Sequence, residues 1–255
     1  MKLARTWLGI LVFLLVLANF SGFIYFYNGF QDKDNFELAN ITRIIDGDTI
    51  ETSMGDIRLL DINTPEKGKA GYEEAKDFLA YLEGSEVELY GSEDDKYERK
   101  LRYVFYEGKL VNEEIAGNGL GTLYYYDKTK YTSEIERAEK RAREMEVGLW
   151  EKSSDECGSC IKLEEIENNP EGECEAEAEY IKLKNSCNFD CNLQGWEIKD
   201  DANHFYKLTQ IISSGNELVI RSSKIIKGCG GVWNDDRDSL YLRDESGKLV
   251  LFYRY

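Results

Sequence analysis

From Ile41 onward, short apolar runs alternate with turn residues, which is the pattern of β-strands joined by tight turns. Five such runs precede residue 110, at 41–45, 48–52, 57–62, 87–90 and 102–106. Three other segments, 72–82, 110–117 and 133–145, carry apolar residues at helical spacing. Five strands and three helices in this order predict a small β-barrel with helices packed on it.

The last of these helices has the clearest pattern. Ser133 and Glu136 have the spacing of a capping box at its start. Its expected buried face consists of Ile135, Ala138, Ala142 and Met145. This block of the chain is expected to close at Gly148-Leu149-Trp150.

Beyond residue 153 the pattern changes. Six β-prone runs follow at regular spacing, at 161–166, 178–184, 195–199, 217–221, 239–243 and 249–253, and no segment has a convincing helical period. This is typical of an all-β sandwich. Trp196 and Trp233 are expected in its core, because large aromatic side chains dominate such cores.

The first thirty residues form a separate, strongly apolar segment. No charge follows Lys2 and Arg5 until Asp32, and the run 7–30 is long enough to cross a bilayer as a helix. We interpret it as a transmembrane anchor with its N-terminus inside, because the positive charges lie on that side. A cleaved signal peptide is the alternative, since Val16-Leu17-Ala18 fits a small-residue cleavage site. Either way, we expect the rest of the chain outside the cytoplasm.

Charge and cysteine usage narrow the possible chemistry. The net charge of −17 means that any nucleic-acid site needs locally concentrated basic residues. The single histidine, His204, excludes a multi-histidine zinc centre and a histidine acid–base pair. All six cysteines lie after residue 150 and favour disulfides in an exported domain. A zinc site is the alternative, since Cys157-x-x-Cys160 and Cys187-x-x-x-Cys191 have ligand-like spacing.

The segment from Ile45 to Glu66 carries the densest group of reactive side chains. Asp46 and Asp48 flank a glycine, Arg58 follows across a hairpin, and Asn63-Thr64-Pro65-Glu66 forms a polar turn. Carboxylate and amide oxygens bind a hard cation, a guanidinium neutralises phosphoryl charge, and a spare carboxylate can act on water. This combination favours metal-assisted attack on a phosphodiester.

Residues 41–150 resemble the staphylococcal nuclease-like (thermonuclease) family, because several separated motifs occur in the family's order. They are Asp46-Gly47-Asp48-Thr49, Arg58-Leu59-Leu60, Thr64-Pro65-Glu66, Asp95-Lys96-Tyr97-Glu98-Arg99, Asn118-Gly119-Leu120 and Gly148-Leu149-Trp150. The resemblance implies a five-stranded OB-fold barrel with three helices. It also implies Ca²⁺-dependent hydrolysis of DNA and RNA phosphodiesters.

The resemblance further implies a role for individual residues. Glu66 matches the carboxylate that orients or deprotonates the attacking water. Arg58 and Arg99 match the pair that grips the phosphate and stabilises transition-state charge. The implied substrate-binding residues are Lys96, Tyr97 and Tyr125.

The implied metal site uses the side chains of Asp48 and Asn63 and the backbone carbonyl of Thr64, with Asp46 ordering the turn behind them. Asparagine at position 63 departs from the commoner aspartate and removes one formal charge, so Ca²⁺ affinity is expected to fall. Asp61 lies two residues earlier, on the same face of the strand if the strand is regular. We therefore expect Asp61 to compensate partly for Asn63.

Glu98 is a second departure, because it stands where the family usually has glycine, next to Arg99. We expect Glu98 either to pair with Arg99 or to repel the substrate. Either effect would change the rate of the reaction rather than its type.

Residues 160–255 resemble the lamin-tail domain, an immunoglobulin-like sandwich. The matching segments are Asn169-Pro170, Glu179–Asn185, Leu193–Ile198 and Asp238–Leu242. The expected organisation is therefore a transmembrane anchor (1–31), a linker (32–39), the nuclease-like domain (40–152), a linker (153–159) and the lamin-tail domain (160–255). Nothing in the last domain is typical of catalysis, which favours binding or positioning of an unspecified ligand.

These patterns predict a membrane-anchored, extracytoplasmic, Ca²⁺-dependent nuclease whose partners are DNA or RNA and the membrane. The alternative is a non-catalytic surface protein that binds nucleic acid or protein through a degenerate nuclease domain. Retention of Arg58, Glu66 and Arg99 favours the enzyme, because a pure binder has no need of all three.

Overall fold

The computed structural model describes residues 36–125, 127–172 and 174–255. The predicted anchor at residues 1–31 lies outside these ranges. Among the described residues, none of the helices has both the length and the apolar character needed to span a bilayer.

Five strands of the first half form a closed barrel. They are β1 (Glu37–Ile44), β2 (Thr49–Thr52), β3 (Gly55–Leu59), β5 (Glu86–Tyr90) and β6 (Lys100–Tyr106). Their order is β3-β2-β1-β5-β6, and β3 pairs with β6 in parallel register to complete the ring. The predicted five-stranded OB-fold barrel is confirmed, although β1 begins before the predicted start at residue 41.

Three short strands and three helices complete the first half. The strands are β4 (Ile62–Asn63), β7 (Lys109–Leu110) and β8 (Thr122–Leu123), and β4 pairs with β8. The helices are α1 (Tyr72–Leu79), α2 (Val111–Gly117) and α3 (Thr132–Glu144). They cover one apolar core with the barrel strands, as their helical spacing predicts.

The details of α3 differ from the prediction. Ile135, Ala138 and Ala142 are buried, but Met145 lies beyond the last helical residue and is 72% exposed. The capping box is also wrong, because the residue that precedes the helix is Tyr131 and no side chain caps the N-terminus. Ser133 therefore lies inside the helix.

The second half consists mainly of β-sheets. Its strands are β9 (Ile161–Glu167), β10 (Tyr180–Asn185), β11 (Cys191–Asn192), β12 (Glu197–Lys199), β13 (Phe205–Lys207), β14 (Ile211–Ile212), β15 (Glu217–Arg221), β16 (Ser239–Arg243) and β17 (Leu249–Arg254). They form sheets with the orders β15-β10-β9, β11-β14 and β13-β12-β16-β17. Trp196 and Trp233 are each 2% exposed in the core, as predicted. Periodicity did not indicate a one-turn helix, α4 (Glu175–Ala178), or a short 3₁₀ helix at Ser222–Lys224.

The six cysteines form three disulfides. The sequence alone did not show which cysteines pair with which. The pairs are Cys157–Cys191, Cys160–Cys187 and Cys174–Cys229. All six cysteines are consumed, so the predicted disulfides are confirmed.

The two halves share a small core of their own. Trp150 of the first half packs against Tyr241 and Phe252 of the second, and both Trp150 and Tyr241 are almost fully buried. Beside them, Arg254 Nη1 forms an ion pair with Glu139 Oε2 at 2.6 Å, with Glu139 only 1% exposed. Leu38–Tyr255 accordingly forms one compact unit, and the halves are joined by a buried interface rather than by a linker alone.

Candidate active site

The turn before β2 brings two carboxylates into a tightly packed hairpin. Asp48 Oδ2 accepts hydrogen bonds from Thr64 N at 2.7 Å and Thr64 Oγ1 at 2.9 Å. A Cβ atom at Gly47 would lie 2.6 Å from Ala75 Cβ, so only glycine fits this approach. Asp46 Oδ1 accepts a hydrogen bond from Asp48 N at 3.1 Å, within the same turn. Burial and then the Asp48 carboxylate raise the pKa of Asp46.

Arg58 is the centre of the cluster. Its strand pairs with β2 so that Arg58 lies opposite Thr49, next to Asp48. Its Nε lies 3.2 Å from Asp48 Oδ1, and its Nη2 lies 3.3 Å from Asn63 Oδ1. Its Nη1 donates to the carbonyl oxygens of Leu59 and Ile62, at 2.6 and 2.7 Å. The guanidinium is therefore fixed in position by the backbone of its own hairpin.

Two of the predicted metal ligands contact the same side chain. The Arg58 guanidinium lies against both Asp48 Oδ1 and Asn63 Oδ1. Asp48, Asn63 and Thr64 are each at most 8% exposed. Carboxylate, amide and carbonyl oxygens are the donors that Ca²⁺ prefers, and the remaining positions would be left to water and substrate.

Glu66 and Asn63 are contacted by the second half of the protein. Asn203 Nδ2 donates to Glu66 Oε1 at 3.0 Å and lies 3.5 Å from Asn63 Oδ1. Asn63 Nδ2 in turn donates to the backbone oxygen of Asp201 at 3.2 Å. An aspartate at position 63 would place a carboxylate against that carbonyl oxygen. The asparagine, a departure from the family pattern, therefore suits the contact between the halves.

Arg99 reaches this part of the molecule through the barrel closure. The parallel pairing of β3 with β6 places Lys100 opposite Ile57, so Arg99 lies beside the strand that carries Arg58. Arg99 Nη2 and Nε contact Asp95 Oδ2 at 2.7 and 2.8 Å. Burial opposes the charged carboxylate, but the hydrogen bonds from Arg99 outweigh it and lower the pKa of Asp95.

The predicted pocket residues lie on two different segments. Tyr97 is 67% exposed, and both Lys96 and Arg99 lie within cation–π distance of its ring, at 5.1 and 5.4 Å. Tyr125 lies on the other segment, and the guanidinium of Arg237 is 4.1 Å from its ring centroid. Sequence reasoning missed Arg237 and Asn203, because nothing in their local sequence distinguishes them from other surface polar residues.

Asp61 does not compensate for Asn63. The expectation assumed a regular strand, but Asp61 has φ 59° between β3 and β4, so the alternation of side chains is broken there. Asp61 Oδ2 instead accepts hydrogen bonds from the hydroxyl groups of Tyr103, Thr129 and Thr132. Asp61 is therefore a buried acceptor that links the barrel to the start of α3.

The backbone conformation at Glu98 explains why the family usually has glycine at this position. Its φ is 64°, in the left-handed region where a Cβ atom is strained, while the ion pair recorded for Arg99 is with Asp95 and not with Glu98. We expect Glu98→Gly to raise the free energy of unfolding by about 1 kcal/mol, because glycine removes that strain. Urea unfolding followed by tryptophan fluorescence measures it. Glu98→Ala is the control, and an equal gain there would show that the charge, not the backbone, is responsible.

Comparison with known proteins assigns each half of the chain to a family. Residues 56–152 match the family described as staphylococcal nuclease homologue, and residues 158–255 match the lamin tail domain. A thermonuclease of Staphylococcus hyicus is 32% identical over 130 residues, covering 46% of this chain and 77% of that protein. Endonuclease YncB of Bacillus subtilis (strain 168) is 32% identical over 141 residues, covering 48% of this chain and 67% of that protein. An uncharacterized protein of Bacillus anthracis is 36% identical over 128 residues, covering 44% of this chain and 60% of that protein.

The closed barrel and the two family matches thus define a staphylococcal nuclease-like domain followed by a lamin tail domain. The chain belongs to the staphylococcal nuclease homologue family.

Proposed function

We propose that this protein is a Ca²⁺-dependent nuclease that hydrolyses phosphodiesters of single-stranded or frayed DNA and RNA outside the cytoplasm. The observation that carries the proposal is the position of Arg58, whose guanidinium contacts Asp48 and Asn63 in the hairpin that also leads to Glu66. Membership of a nuclease family supports the same conclusion. Anchoring by residues 1–31, with the N-terminus inside, is part of the proposal.

Each residue of the cluster has a chemical task under this proposal. Ca²⁺ held by Asp48, Asn63 and the Thr64 carbonyl would supply positive charge against the phosphoryl oxygens. Glu66 is exposed, so its carboxylate can take a proton from a water molecule that approaches the phosphorus.

The two arginines neutralise the charge that develops on the phosphoryl group. Arg58 Nη2 carries a second N–H besides the one directed at Asn63, and that N–H can reach a phosphoryl oxygen. Arg99 contacts Asp95 through Nε and Nη2, which leaves Nη1 for the same phosphate. Because both guanidinium groups are held by protein oxygens, little reorganisation is needed when substrate binds.

Metal removal tests the proposal on the full chain. Single-stranded DNA and plasmid are incubated with the protein in Ca²⁺ or in excess chelator, and we expect cleavage only with Ca²⁺. Isothermal titration with Ca²⁺ alone gives a second readout, one binding site that Asp48→Asn weakens. If the protein binds the oligonucleotide but shows no Ca²⁺-dependent cleavage, the proposed enzymatic function is wrong. The alternative, a non-catalytic nucleic-acid-binding protein, would then be favoured.

A further inference from the structure

A cavity of about 260 Å³ lies between the two halves, next to the proposed metal ligands. Asn63, Thr64 and Lys69 line it from the barrel, and Lys199, Lys207 and Arg243 line it from the second half. One water molecule takes up roughly 30 Å³ of liquid, so the cavity has room for a sugar–phosphate unit. Its lining carries four cationic side chains and also three carboxylates, those of Glu197, Asp244 and Glu245.

Hydrogen bonds anchor the loop that joins β12 and β13, two strands that line the cavity. The β12–β13 loop that carries Asn203 is held from behind, because Asp201 accepts hydrogen bonds from Ser239 Oγ at 2.9 Å and Tyr241 OH at 3.0 Å. Asp200 Oδ2 also lies 2.6 Å from His204 Nδ1. Together with the buried interface around Trp150, these contacts keep the loop beside Glu66. Residues of both halves therefore bound the cavity.

Two of the four cationic side chains, Lys69 and Arg243, already have partners within the protein. Lys69 Nζ pairs with Glu197 at 2.5 Å and lies 3.9 Å from the ring centroid of Phe205. Arg243 Nη1 donates to the carbonyl oxygens of Leu149 and Gly247, at 2.6 and 3.2 Å.

Lys199 and Lys207 differ from these. Within the described ranges, neither of them has a carboxylate within the 4.0 Å of an ion pair. The contact of Lys199 is with the ring of Tyr241, whose centroid lies 5.0 Å from Nζ.

Lys199 is the more informative of the two, because it is half-buried on β12. Burial lowers its pKa to about 8, although Asp201, Asp200 and Glu66 act in the opposite direction. It is therefore mostly protonated at neutral pH. A half-buried ammonium group without an ion-pair partner is costly, and a bound anion offsets that cost.

We propose that this cavity is a phosphate-binding subsite, in which Lys199 and Lys207 of the lamin tail domain bind the backbone phosphate adjacent to the one at Arg58. The proposal rests on the proposed nuclease function, since the subsite adjoins the catalytic residues. The lamin tail domain then forms one side of the nucleic-acid site and restricts it to single strands, because a duplex is too wide for a cavity of this size.

Binding of a fluorescein-labelled single-stranded oligonucleotide tests the subsite separately from cleavage. Fluorescence anisotropy is measured with full-length protein in a Glu66→Gln background, at salt concentrations from 50 to about 200 mM. We expect Lys199→Gln to weaken binding by roughly tenfold and to reduce the slope of log K against log salt by about 0.7, the value for one lost phosphate contact on a single strand. Lys199→Arg is expected to restore both.

Lys224→Gln is the matched control, because it makes the same charge change at an exposed lysine that does not line the cavity. If Lys199→Gln and Lys224→Gln bind the oligonucleotide equally well and with equal salt slopes, the proposed phosphate-binding subsite is wrong. If Lys199→Gln does not fold, the exposed Lys207→Gln serves in its place with the same expected loss of slope. A wild-type protein that binds through Lys199 but never cleaves would refute the nuclease function and leave the subsite standing.

Discussion

Replacing Glu66 by glutamine is expected to reduce kcat/KM for single-stranded DNA by about 10²–10⁴-fold, the range for loss of a positioned general base. Glutamine keeps an oxygen at the position of Oε1, so the hydrogen bond from Asn203 Nδ2 is retained. The substitution therefore removes the base without removing the contact between the halves. Initial rates of oligonucleotide cleavage at saturating Ca²⁺ measure the effect.

Glu74→Gln is the matched control for that experiment. Glu74 is an exposed glutamate in the first turn of α1, a short distance along the chain from Glu66, and its neutralisation changes the net charge equally. We expect kcat/KM of the Glu74→Gln variant to remain within about twofold of the wild-type value. Removal of a negative charge weakens the repulsion of an anionic substrate, so a charge effect alone would raise kcat/KM in both variants. An equal loss in both variants would therefore show that the effect is not specific to Glu66, and Glu66 would lose its role as base.

Replacing Arg254 by alanine is expected to destabilise the protein by about 3–5 kcal/mol, the range for removing one partner of a buried ion pair. Arg254 contacts both carboxylate oxygens of Glu139, at 2.6 and 3.1 Å, and Glu139 is only 1% exposed. Without Arg254, the nearest cation recorded for Glu139 is Arg143 at 3.8 Å. Urea unfolding monitored by tryptophan fluorescence measures the loss, since Trp150 lies at the same interface.

The double variant Glu139→Gln with Arg254→Met distinguishes an unpaired charge from lost packing. Glutamine retains an acceptor for Leu123 N, which donates to Glu139 Oε1 at 2.8 Å, and methionine fills part of the space of Arg254. We expect the double variant to regain much of the lost free energy of unfolding. If it is as unstable as Arg254→Ala alone, packing and not the buried charge dominates.

Several site residues were predictable because their signals are local. Asp46, Asp48 and Arg58 lie in one hairpin, and adjacent strands bring such residues together without help from the rest of the chain. Arg99 comes from a distant strand, and only its motif linked it to this site until the β3–β6 pairing placed it. Three local assumptions failed. The backbone breaks its alternation at Asp61, the terminus of α3 leaves Met145 in solvent, and Ser133 lies inside α3 instead of capping it.

The sequence by itself determined the barrel strands, the three helices, the β-rich second half and the hairpin cluster. Each of these features follows from a periodic pattern or a motif within a short stretch of sequence. The reason is that side chains alternate in a strand and recur every three to four residues in a helix. The tertiary structure alone decided the disulfide pairing and the docking of the lamin tail domain against Glu66 and Asn63. Contacts between residues far apart in the chain depend on how whole surfaces pack. Asn203 and Lys199 therefore leave no local trace of their position beside the proposed catalytic residues.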